Sequence, residues 1–302
     1  MSEWLGIDIG GTEVKYALIS DEYQLLQEGH ILTDFSDAND LVNTIRDLQD
    51  TQFPHISGIG ISVPGTVFPN DNDGTVYGGG ALHYLDHFAL GSAVATACNI
   101  QVKVTNDGKS GALGEYSNGA LKGSHIGVVM VLGTGVGGGI IIDGHILYGA
   151  HSFGGEFSFM TNRDDAGMKA SNMLGFTGGW KGLKKEILIE THQEDDAAMN
   201  GKTLFQQIAS GNQEAVHGFE KYCYRIATKI TDLQAVLDPD IFAISGGISE
   251  QKILTDEINH QIDNVLSEQS FPQFPHPHVV QATNRNHANV IGAVYALRKK
   301  HE

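Results

Sequence analysis

Residues 105–115 read Thr-Asn-Asp-Gly-Lys-Ser-Gly-Ala-Leu-Gly-Glu. The apolar run Ile100–Val104 before them predicts a short strand, and the small residues within the stretch predict a helix against which another element packs closely. Asp107 therefore lies at a strand end, beside an amide and at a helix start, where a carboxylate can serve acid–base chemistry. The same position suits a helix N-cap, which is a purely structural role. The stretch alone leaves both interpretations open.

The composition is that of a globular protein with an excess of glycine. The chain has 302 residues, of which 41% are hydrophobic and 18% charged, so it can bury a core in one large or two modest domains. Its 38 glycines exceed the usual share of ~7%. They cluster at the ends of apolar runs, which indicates turns and places where a ligand approaches the backbone.

The formal net charge of −17 argues against two classes of partner. A surface this acidic repels nucleic acid and anionic lipid, so we expect neither a nucleic acid nor a membrane as partner. Any bound phosphate must then be held by backbone amides and a divalent cation more than by basic side chains.

The two cysteines indicate a reducing compartment. Cys98 and Cys223 lie far apart in the sequence and form no Cys-x-x-Cys pair, so a disulfide framework is not expected. No signal peptide or membrane span is recognisable, because the longest apolar runs have the length of strands, and we expect a cytoplasmic protein. The fourteen histidines form no His-Glu-x-x-His or Cys/His cluster, so no zinc site is predicted.

A strand, a glycine turn and a second strand open the chain. Trp4–Ile9 is apolar and ends in Asp8-Ile9-Gly10-Gly11-Thr12, and Lys15–Ser20 alternates as the returning strand. Amides in such a turn can approach a phosphate closely, and Asp8 could hold a metal ion through water. A plain tight hairpin is the alternative.

A second turn of this kind follows the apolar run Ile126–Leu132. Residues 133–139 read Gly-Thr-Gly-Val-Gly-Gly-Gly and fit a G-x-G-x-x-G pattern, so a dinucleotide-binding fold must be considered. That fingerprint requires a helix next, whereas an isoleucine-rich strand and an Asp-Gly turn follow here. We therefore reject the dinucleotide fold and predict a repeat of the first hairpin, the two hairpins closing on one nucleotide.

Two further stretches are candidates for binding. Ser245-Gly246-Gly247-Ile248 follows the strand Ile241–Ile244 and permits a flat ring to lie against the backbone. Glu156 is the one carboxylate in the glycine-lined loop 151–159, and its alternative role is to cap that loop. Residues 164–182 are predicted to be irregular, and strands followed by helix–strand units indicate an α/β protein.

Taken together, these motifs resemble the ROK family of bacterial sugar kinases and repressors, within the actin-like, hexokinase-like ATPase superfamily. Asp8–Thr12 resembles the first phosphate motif, residues 133–138 the second, and Ser245–Gly247 the adenosine motif. Asn106–Glu115 resembles the first connector and Asn289–Ala296 the second. The resemblance covers nearly the whole chain in order, which makes it specific although each motif alone is common.

The resemblance implies an α/β fold of two actin-like, ribonuclease H-like lobes with a cleft between them. Residues 1–107 with 288–302 would form the small N-terminal lobe and residues 108–287 the large C-terminal lobe. It also implies a homodimer formed through the larger lobe, with a small-molecule sugar as the partner of the cleft.

The resemblance further implies roles for single residues. Asp107 would be the catalytic general base, and Asn106, Asp107, Glu156, Gly65 and Gly80 would bind the sugar. ATP would be bound by residues of the three glycine turns, namely Asp8, Gly10, Gly11, Thr12, Lys15, Gly133, Thr134, Gly135, Gly137, Gly246 and Gly247. Mg²⁺ would be held near Asp8 through water.

The chain also departs from the family pattern. Many members carry a Cys-x-Cys-Gly-x-x-Gly-Cys zinc motif after the Gly-Glu loop, whereas Met160–Gly182 contains no cysteine. Phe159 stands where the zinc-linked histidine is expected, and Met173 or a neighbour replaces a glutamate that faces the anomeric side of glucose in glucokinase-like members. Lys109 stands where the family has a small or amide residue, and the sequence gives no account of it.

These departures favour ATP-dependent phosphorylation of the 6-OH of a β-glucoside such as cellobiose. A zinc-free N-acetylmannosamine kinase or glucokinase is the alternative within enzymes. A non-catalytic sugar sensor and an actin-like filament former are the alternatives from other classes. Repressors of the family carry an additional N-terminal DNA-binding domain, and since the first phosphate strand begins by Trp4, we expect a kinase.

Overall fold

The computed structural model describes residues 2–163, 167–196, 199–267 and 271–299. The chain forms two compact units. The first unit is Met1–Gly123, Gly138–Gly155 and Asn286–Glu302, and the second is Ser124–Gly137 and Glu156–Arg285. The lobe boundaries implied by the family resemblance stay a prediction.

Strands and helices alternate along the chain. The elements up to residue 118 are β1 (Glu3–Ile9), β2 (Glu13–Ser20), β3 (Leu25–Leu32), α1 (Ala38–Gln52), β4 (Ile59–Val63), β5 (Thr75–Val76), β6 (Phe88–Ala89), α2 (Leu90–Cys98), β7 (Val102–Asn106) and α3 (Asp107–Asn118). Those that follow are β8 (Ile126–Leu132), β9 (Val136–Ile142), β10 (His145–Ile146), α4 (Leu174–Thr177), α5 (Trp180–Thr191), α6 (Gly201–Ala209), α7 (Gln213–Leu237), β11 (Ile241–Ser245), α8 (Lys252–Ser267), β12 (Val279–Gln281) and α9 (Ala288–Lys299). The predicted α/β fold is confirmed.

The main sheet of the first unit brings three strand ends to one edge. Its order is β3-β2-β1-β4-β7, with β1 antiparallel to β2 and parallel to β4, and β4 parallel to β7. The register pairs Asp8 with Ser62 and Val63 with Asn106. Because parallel strands end at the same edge, Asp8 and the start of α3 lie at that edge.

Two helices of the first unit pack with glycine at the contact. A Cβ on Gly292 of α9 would lie 1.7 Å from the carbonyl oxygen of Ser110 of α3, and one on Gly114 would lie 2.0 Å from that of Ala288. Only glycine permits this approach. The close packing predicted from the small residues of α3 is confirmed.

The second unit is built on three parallel strands covered by helices. β11 lies between β8 and β12, with Ile241 opposite Gly127 and Phe242 opposite Val279. Phe219, Tyr222 and Ile226 of α7 are fully buried, so its apolar stripe belongs to the core as its spacing predicts. None of the helices in the described part of the chain has the length and apolar character that a membrane crossing requires.

Candidate active site

The carboxylate of Asp8 is clamped from two sides. Its Oδ1 accepts hydrogen bonds from Ser62 Oγ at 2.7 Å and from Asn289 Nδ2 at 3.1 Å. Burial raises the pKa of the Asp8 carboxyl above its usual value, although both hydrogen bonds and the nearby charge of Lys15 oppose the rise. Among the described residues no donor reaches Oδ2, which leaves that oxygen for a ligand.

The first glycine turn joins β1 to β2 beside this carboxylate. The amide of Gly10 donates to the carbonyl of Glu13 at 3.0 Å, and Lys15 forms an ion pair with Glu13 at 3.4 Å. Gly11 and Thr12 are exposed, and a Cβ on Gly11 would make an ordinary contact of 3.5 Å with Ala81. The chain itself therefore does not require glycine at position 11.

Asn106, not Asp107, caps helix α3. Asn106 Oδ1 accepts the amide of Lys109 at 3.1 Å, which satisfies one of the free amides of the first turn. Asp107 is the first helical residue, and its Oδ1 accepts hydrogen bonds from the Gly108 amide at 2.7 Å and from Asn106 Nδ2 at 2.9 Å. The interpretation of Asp107 as the N-cap is therefore wrong, because β7 extends through Asn106.

One of the two predicted sugar-contacting glycines touches this pair. The carbonyl of Gly65 accepts a hydrogen bond from Asn106 Nδ2 at 2.9 Å. Gly65 has φ +93°, and a Cβ there would lie 2.7 Å from the carbonyl oxygen of Tyr77. Glycine is thus required by the backbone itself. Gly80 is exposed and a Cβ on it would meet no atom within 4 Å.

Lys109 is buried in the first turn of the same helix. It is 2% exposed, which is unusual for lysine. The residue lies two positions after Asp107 in α3. The sequence flagged this position as a departure but gave no sign of its burial.

The second and third glycine turns meet in the second unit. β8 and β11 are neighbours, with Ser245 opposite Val131. Gly246 has φ +92°, and a Cβ on it would lie 2.4 Å from the carbonyl oxygen of Leu132, so this glycine serves the packing of the two turns. The predicted second phosphate motif and the predicted adenosine motif therefore lie at the ends of two neighbouring strands, β8 and β11.

Two glycines at that edge have no structural requirement. A Cβ on Gly133 or on Gly247 would meet no atom within 4 Å among the described residues, and neither has a positive φ. At Gly137 the nearest atom would be 4.0 Å away, whereas at Gly135 a Cβ would lie 2.9 Å from the Gly175 carbonyl oxygen. Open space beside the backbone suits a ligand that approaches it closely, although the Gly133 amide itself donates to the Gly135 carbonyl at 3.0 Å. Thr134, which stands between Gly133 and Gly135, is exposed.

Glu156 lies at the start of a short 3₁₀ turn, Phe157–Phe159. Its carbonyl accepts the amide of Phe159 at 3.2 Å, and Phe159 is 44% exposed. Glu156 belongs to the second unit and Asp107 to the first. Their joint contact with one sugar, and the convergence of the first glycine turn with the second, stay predictions.

Asparagine side chains close the loop for which the family resemblance implies a zinc motif in many members. Asn172 is 3% exposed; its Oδ1 accepts the Arg163 amide at 2.9 Å, and its Nδ2 donates to the carbonyls of Arg163 at 2.9 Å and Gly167 at 2.8 Å. Asn162 Nδ2 donates to the Asn172 carbonyl at 2.9 Å. Within the described residues no group of three or more His, Cys, Asp or Glu side chains is placed to hold a metal ion.

The arrangement of strand, glycine turn and strand, repeated beside an Asn-Asp helix start, agrees with one known family. The model of the ROK family matches residues 4–300. The chain belongs to the ROK family. This ROK protein has the Asn106-Asp107 pair and three glycine turns, and Asn172 closes the loop after Glu156.

Curated ROK relatives phosphorylate several sugars. The chain is 27% identical to a glucokinase of Halalkalibacterium halodurans, over 98% of this chain and 95% of the relative. It is 24% identical to a beta-glucoside kinase of Listeria monocytogenes over 95% of each chain. It is 27% identical to an N-acetylmannosamine kinase of Vibrio cholerae over 98% of this chain and 99% of the relative.

Solved ROK structures share the fold. A ROK family protein from Streptococcus pneumoniae in complex with sucrose superposes with a TM-score of 0.88 at 24% identity, over 99% of both chains. A ROK family glucokinase from Streptomyces griseus in complex with glucose and AMPPNP gives 0.83 at 24% identity, over 99% of this chain and 100% of the other. A ROK family transcriptional regulator, a homologue of the E. coli MLC protein, gives 0.83 at 20% identity, over 98% of this chain and 78% of its own. The chain therefore shares the fold of these ROK structures.

Proposed function

We propose that this ROK protein is an ATP-dependent sugar kinase that transfers the γ-phosphate to the 6-OH of a β-glucoside such as cellobiose. The observation that carries the proposal is that Asn106, and not Asp107, caps the start of α3. Asn106 provides the cap, so the carboxylate of Asp107 is not needed to hold the helix together. A carboxylate fixed by two short hydrogen bonds at a strand edge suits a general base.

In the proposed reaction Asp107 accepts the proton of the attacking hydroxyl. The sugar oxygen forms a bond to the γ-phosphorus while the bond from that phosphorus to the β–γ bridging oxygen breaks, and ADP leaves. Two donors, the Gly108 amide and Asn106 Nδ2, reach Oδ1 of Asp107. They orient the carboxylate, and ordered orientation contributes much of the rate in phosphoryl transfer.

Asn106 and Glu156 are proposed to hold ring hydroxyls. The amide of Asn106 is already fixed by Gly65 on one side and by the Lys109 amide on the other. A sugar hydroxyl would therefore meet a preorganised partner, which limits the entropy lost on binding. Glu156 supplies a carboxylate of the kind that accepts hydrogen bonds from two hydroxyls.

The open glycines are proposed to receive the nucleotide. Gly11 lies at a turn where an amide can bind a phosphate oxygen. Gly133 leaves open space for a phosphate, although its own amide donates to the Gly135 carbonyl at 3.0 Å, and Gly247 permits the base or ribose to lie against the chain. Backbone binding also fits the acidity of the protein, since few basic side chains are needed. Thr12, Lys15 and Thr134 would complete the phosphate contacts.

Asp8 fits the divalent cation that such a kinase requires. Its Oδ1 is taken by Ser62 and Asn289, and its Oδ2 is left for a water of the ion. Burial disfavours the charged carboxylate, and a bound cation would restore that balance. When bound, Mg²⁺ offsets the phosphate charge. A hard cation that keeps its waters prefers this kind of oxygen ligand.

The proposed preference for a β-glucoside rests on Phe159. This side chain is 44% exposed and stands where the family resemblance places a histidine facing the anomeric side of the sugar. An aromatic surface at that side favours an aglycone over a free anomeric hydroxyl. The relatives include a glucokinase and an N-acetylmannosamine kinase, which are the alternatives to be tested.

A coupled assay of ADP release with cellobiose, glucose and N-acetylmannosamine tests the substrate. We expect the highest kcat/KM with cellobiose and a lower value with the two free sugars. A higher kcat/KM with glucose or N-acetylmannosamine would overturn the β-glucoside preference and leave a kinase. Absence of ATP consumption with a wide set of sugars would overturn the proposal that the protein is a kinase.

A non-catalytic sugar sensor is the second candidate. A ROK transcriptional regulator shares the fold over 98% of this chain, so the fold does not by itself guarantee turnover. Calorimetry that detects sugar binding, combined with no ATP consumption, would favour the sensor. We also propose a cytoplasmic homodimer, which sedimentation velocity of the full chain would test.

A further inference from the structure

The second unit contains a cavity that belongs to none of the sites above. Its volume is about 710 Å³, and it lies between helices α5 and α7 and the described residues 162–163 and 170–177. We call it the basic hollow and define it by Asn162, Phe176, Lys185, Tyr224, Arg225 and Lys229. None of the residues assigned above to ATP or sugar lines it. Cavities of roughly 300–1,000 Å³ are the size that small organic ligands fill.

Helix α7 places like charges along the hollow, which destabilises the helix. Lys221, Arg225 and Lys229 follow each other at spacings of four, so they lie on one helix face. Like charges at this spacing destabilise a helix by a few tenths of a kcal/mol per pair. Such an arrangement is unexpected in a chain with 36 acidic and 19 basic residues.

The charges of the hollow are only partly neutralised. Arg225 pairs with Glu186, the one acidic residue among the lining residues described. Lys221 pairs with Glu190 at 2.6 Å and Lys229 with Asp232 at 2.9 Å, and both acids lie outside the lining. Lys185 of α5 is exposed and has no ion-pair partner within the described ranges. The hollow therefore keeps an excess of positive charge, which favours an anion.

The uncharged groups of the hollow indicate a ligand that has hydroxyl groups and a ring as well as a negative charge. Asn162 Oδ1 is buried and accepts no hydrogen bond from any described residue, so it lacks a donor such as a hydroxyl. Thr228 and Ser171 add hydroxyl groups to the lining. Phe176 and Tyr224 are 61% and 49% exposed and offer aromatic faces to a ring.

We propose that the basic hollow binds a small sugar phosphate. The phosphate would be held by Lys185 and Lys229, the ring hydroxyls by Asn162 and Thr228, and the apolar ring face by Phe176 or Tyr224. This inference does not rest on the proposed kinase activity, because each contact is argued from the hollow itself. It would give the protein a second site for the same chemical class as the product of the proposed reaction.

Isothermal titration calorimetry of the full chain with glucose 6-phosphate tests this site. Glucose and inorganic phosphate serve as matched ligands. Lys185→Glu serves as the variant because this exposed lysine has no ion-pair partner among the described residues. Lys252→Glu is the control, since Lys252 is exposed on α8, pairs with Asp256 and does not line the hollow. Titration of both variants separates this site from any binding of glucose 6-phosphate elsewhere.

We expect Lys185→Glu to weaken binding of glucose 6-phosphate ~10-fold or more, because one charge-assisted contact becomes a repulsion. Lys252→Glu should leave the Kd within about twofold, since exposed pairs remote from a ligand contribute little. Raising the salt concentration should weaken binding. An unchanged Kd in Lys185→Glu, or inorganic phosphate that binds as tightly as glucose 6-phosphate, would overturn the proposal. Neither result depends on whether the chain consumes ATP.

Discussion

Asn289 Nδ2 donates a 3.1 Å hydrogen bond to Oδ1 of Asp8, which joins the last helix of the chain to the end of its first strand. Ser62 Oγ donates to the same oxygen at 2.7 Å from β4. One carboxylate oxygen is thus held by two elements remote in sequence, and the other is left for a ligand. This clamp is the part of the site with the most direct experimental consequences.

Asn289→Ala should lower sugar-dependent ADP release and raise the Mg²⁺ concentration needed for half-maximal rate. Loss of a group that orients a metal-binding carboxylate commonly costs ~10–100-fold in metal affinity or activity. A Mg²⁺ titration of the steady-state rate measures this. The control is Asn118→Ala, whose amide donates to the Tyr23 carbonyl at 2.6 Å and does not touch Asp8. If both variants shift the Mg²⁺ requirement equally, the clamp has no specific role.

Asp8→Asn should stabilise the fold while removing activity. The folded-state pKa of Asp8 is raised by burial, so this group's stabilising contribution is complete below its unfolded pKa of ~3.8 and is lost as pH rises through the folded pKa. At neutral pH the ionised carboxylate therefore destabilises the protein, and a neutral amide does not. Thermal unfolding at pH 7 should show a higher Tm for Asp8→Asn, and the gap should narrow toward pH 4. A lower Tm at pH 7 would contradict this.

Two glycine substitutions should differ in what they change: Gly292→Ala should lower stability, and Gly247→Ala should lower the affinity for ATP. Gly292→Ala places a methyl 1.7 Å from the Ser110 carbonyl oxygen and should destabilise the fold by ~3 kcal/mol or more in urea unfolding. Gly247→Ala meets no atom within 4 Å, so its stability should change by less than ~1 kcal/mol. Its affinity for ATP should instead fall about tenfold, a loss of ~1.4 kcal/mol, in calorimetry. Unchanged ATP affinity would argue that Gly247 does not contact nucleotide.

Asn172→Ala should destabilise the loop that Asn172 holds closed. The substitution removes three hydrogen bonds from a buried side chain and should cost ~2–3 kcal/mol in urea unfolding. Asn212→Ala removes only the N-cap of α7 and should cost ~1 kcal/mol. Treatment of the wild type with a zinc chelator should leave its Tm unchanged. A Tm that falls with the chelator would indicate a metal in this region.

The elements with local signals were predictable from the sequence. The strand–glycine turn–strand pattern of residues 4–20 and 126–142 is local, because period-two apolarity and glycine determine it within a few residues. The same holds for the strand after Gly139, which excluded the dinucleotide fold. The close contact of α3 with α9 was also predictable, since glycine at a helix interior is unfavourable unless packing requires it.

The prediction that residues 164–182 are irregular was wrong where the structure describes helix. Helix α4 covers Leu174–Thr177 and α5 begins at Trp180. It was right for Gly178 and Gly179, which lie in the bend between the two helices. A Cβ on Gly179 would lie 2.5 Å from the Thr134 carbonyl oxygen, so this glycine also serves close packing, which the sequence did not indicate. Asp164 lies outside the described residues.

Non-local features of the site had no sequence signal. The bond from Asn289 to Asp8 joins positions 281 residues apart, and nothing in either motif indicates the pairing. The burial of Lys109 depends on how α3 packs, which its own residues do not reveal. The choice of Asn106 over Asp107 as the cap depended on whether β7 ends one residue earlier or later.

The rate of sugar-dependent ADP release in Asp107→Asn tests the central claim most directly. An asparagine can still accept the hydrogen bonds from Gly108 and Asn106, so the fold and both ligand affinities should be retained while the base is lost. We expect kcat to fall ~10²–10⁴-fold with the Kd for sugar and ATP nearly unchanged. A kcat within about twofold of the wild type would contradict the assignment of Asp107 as the base, because loss of a general base lowers the rate far more than that.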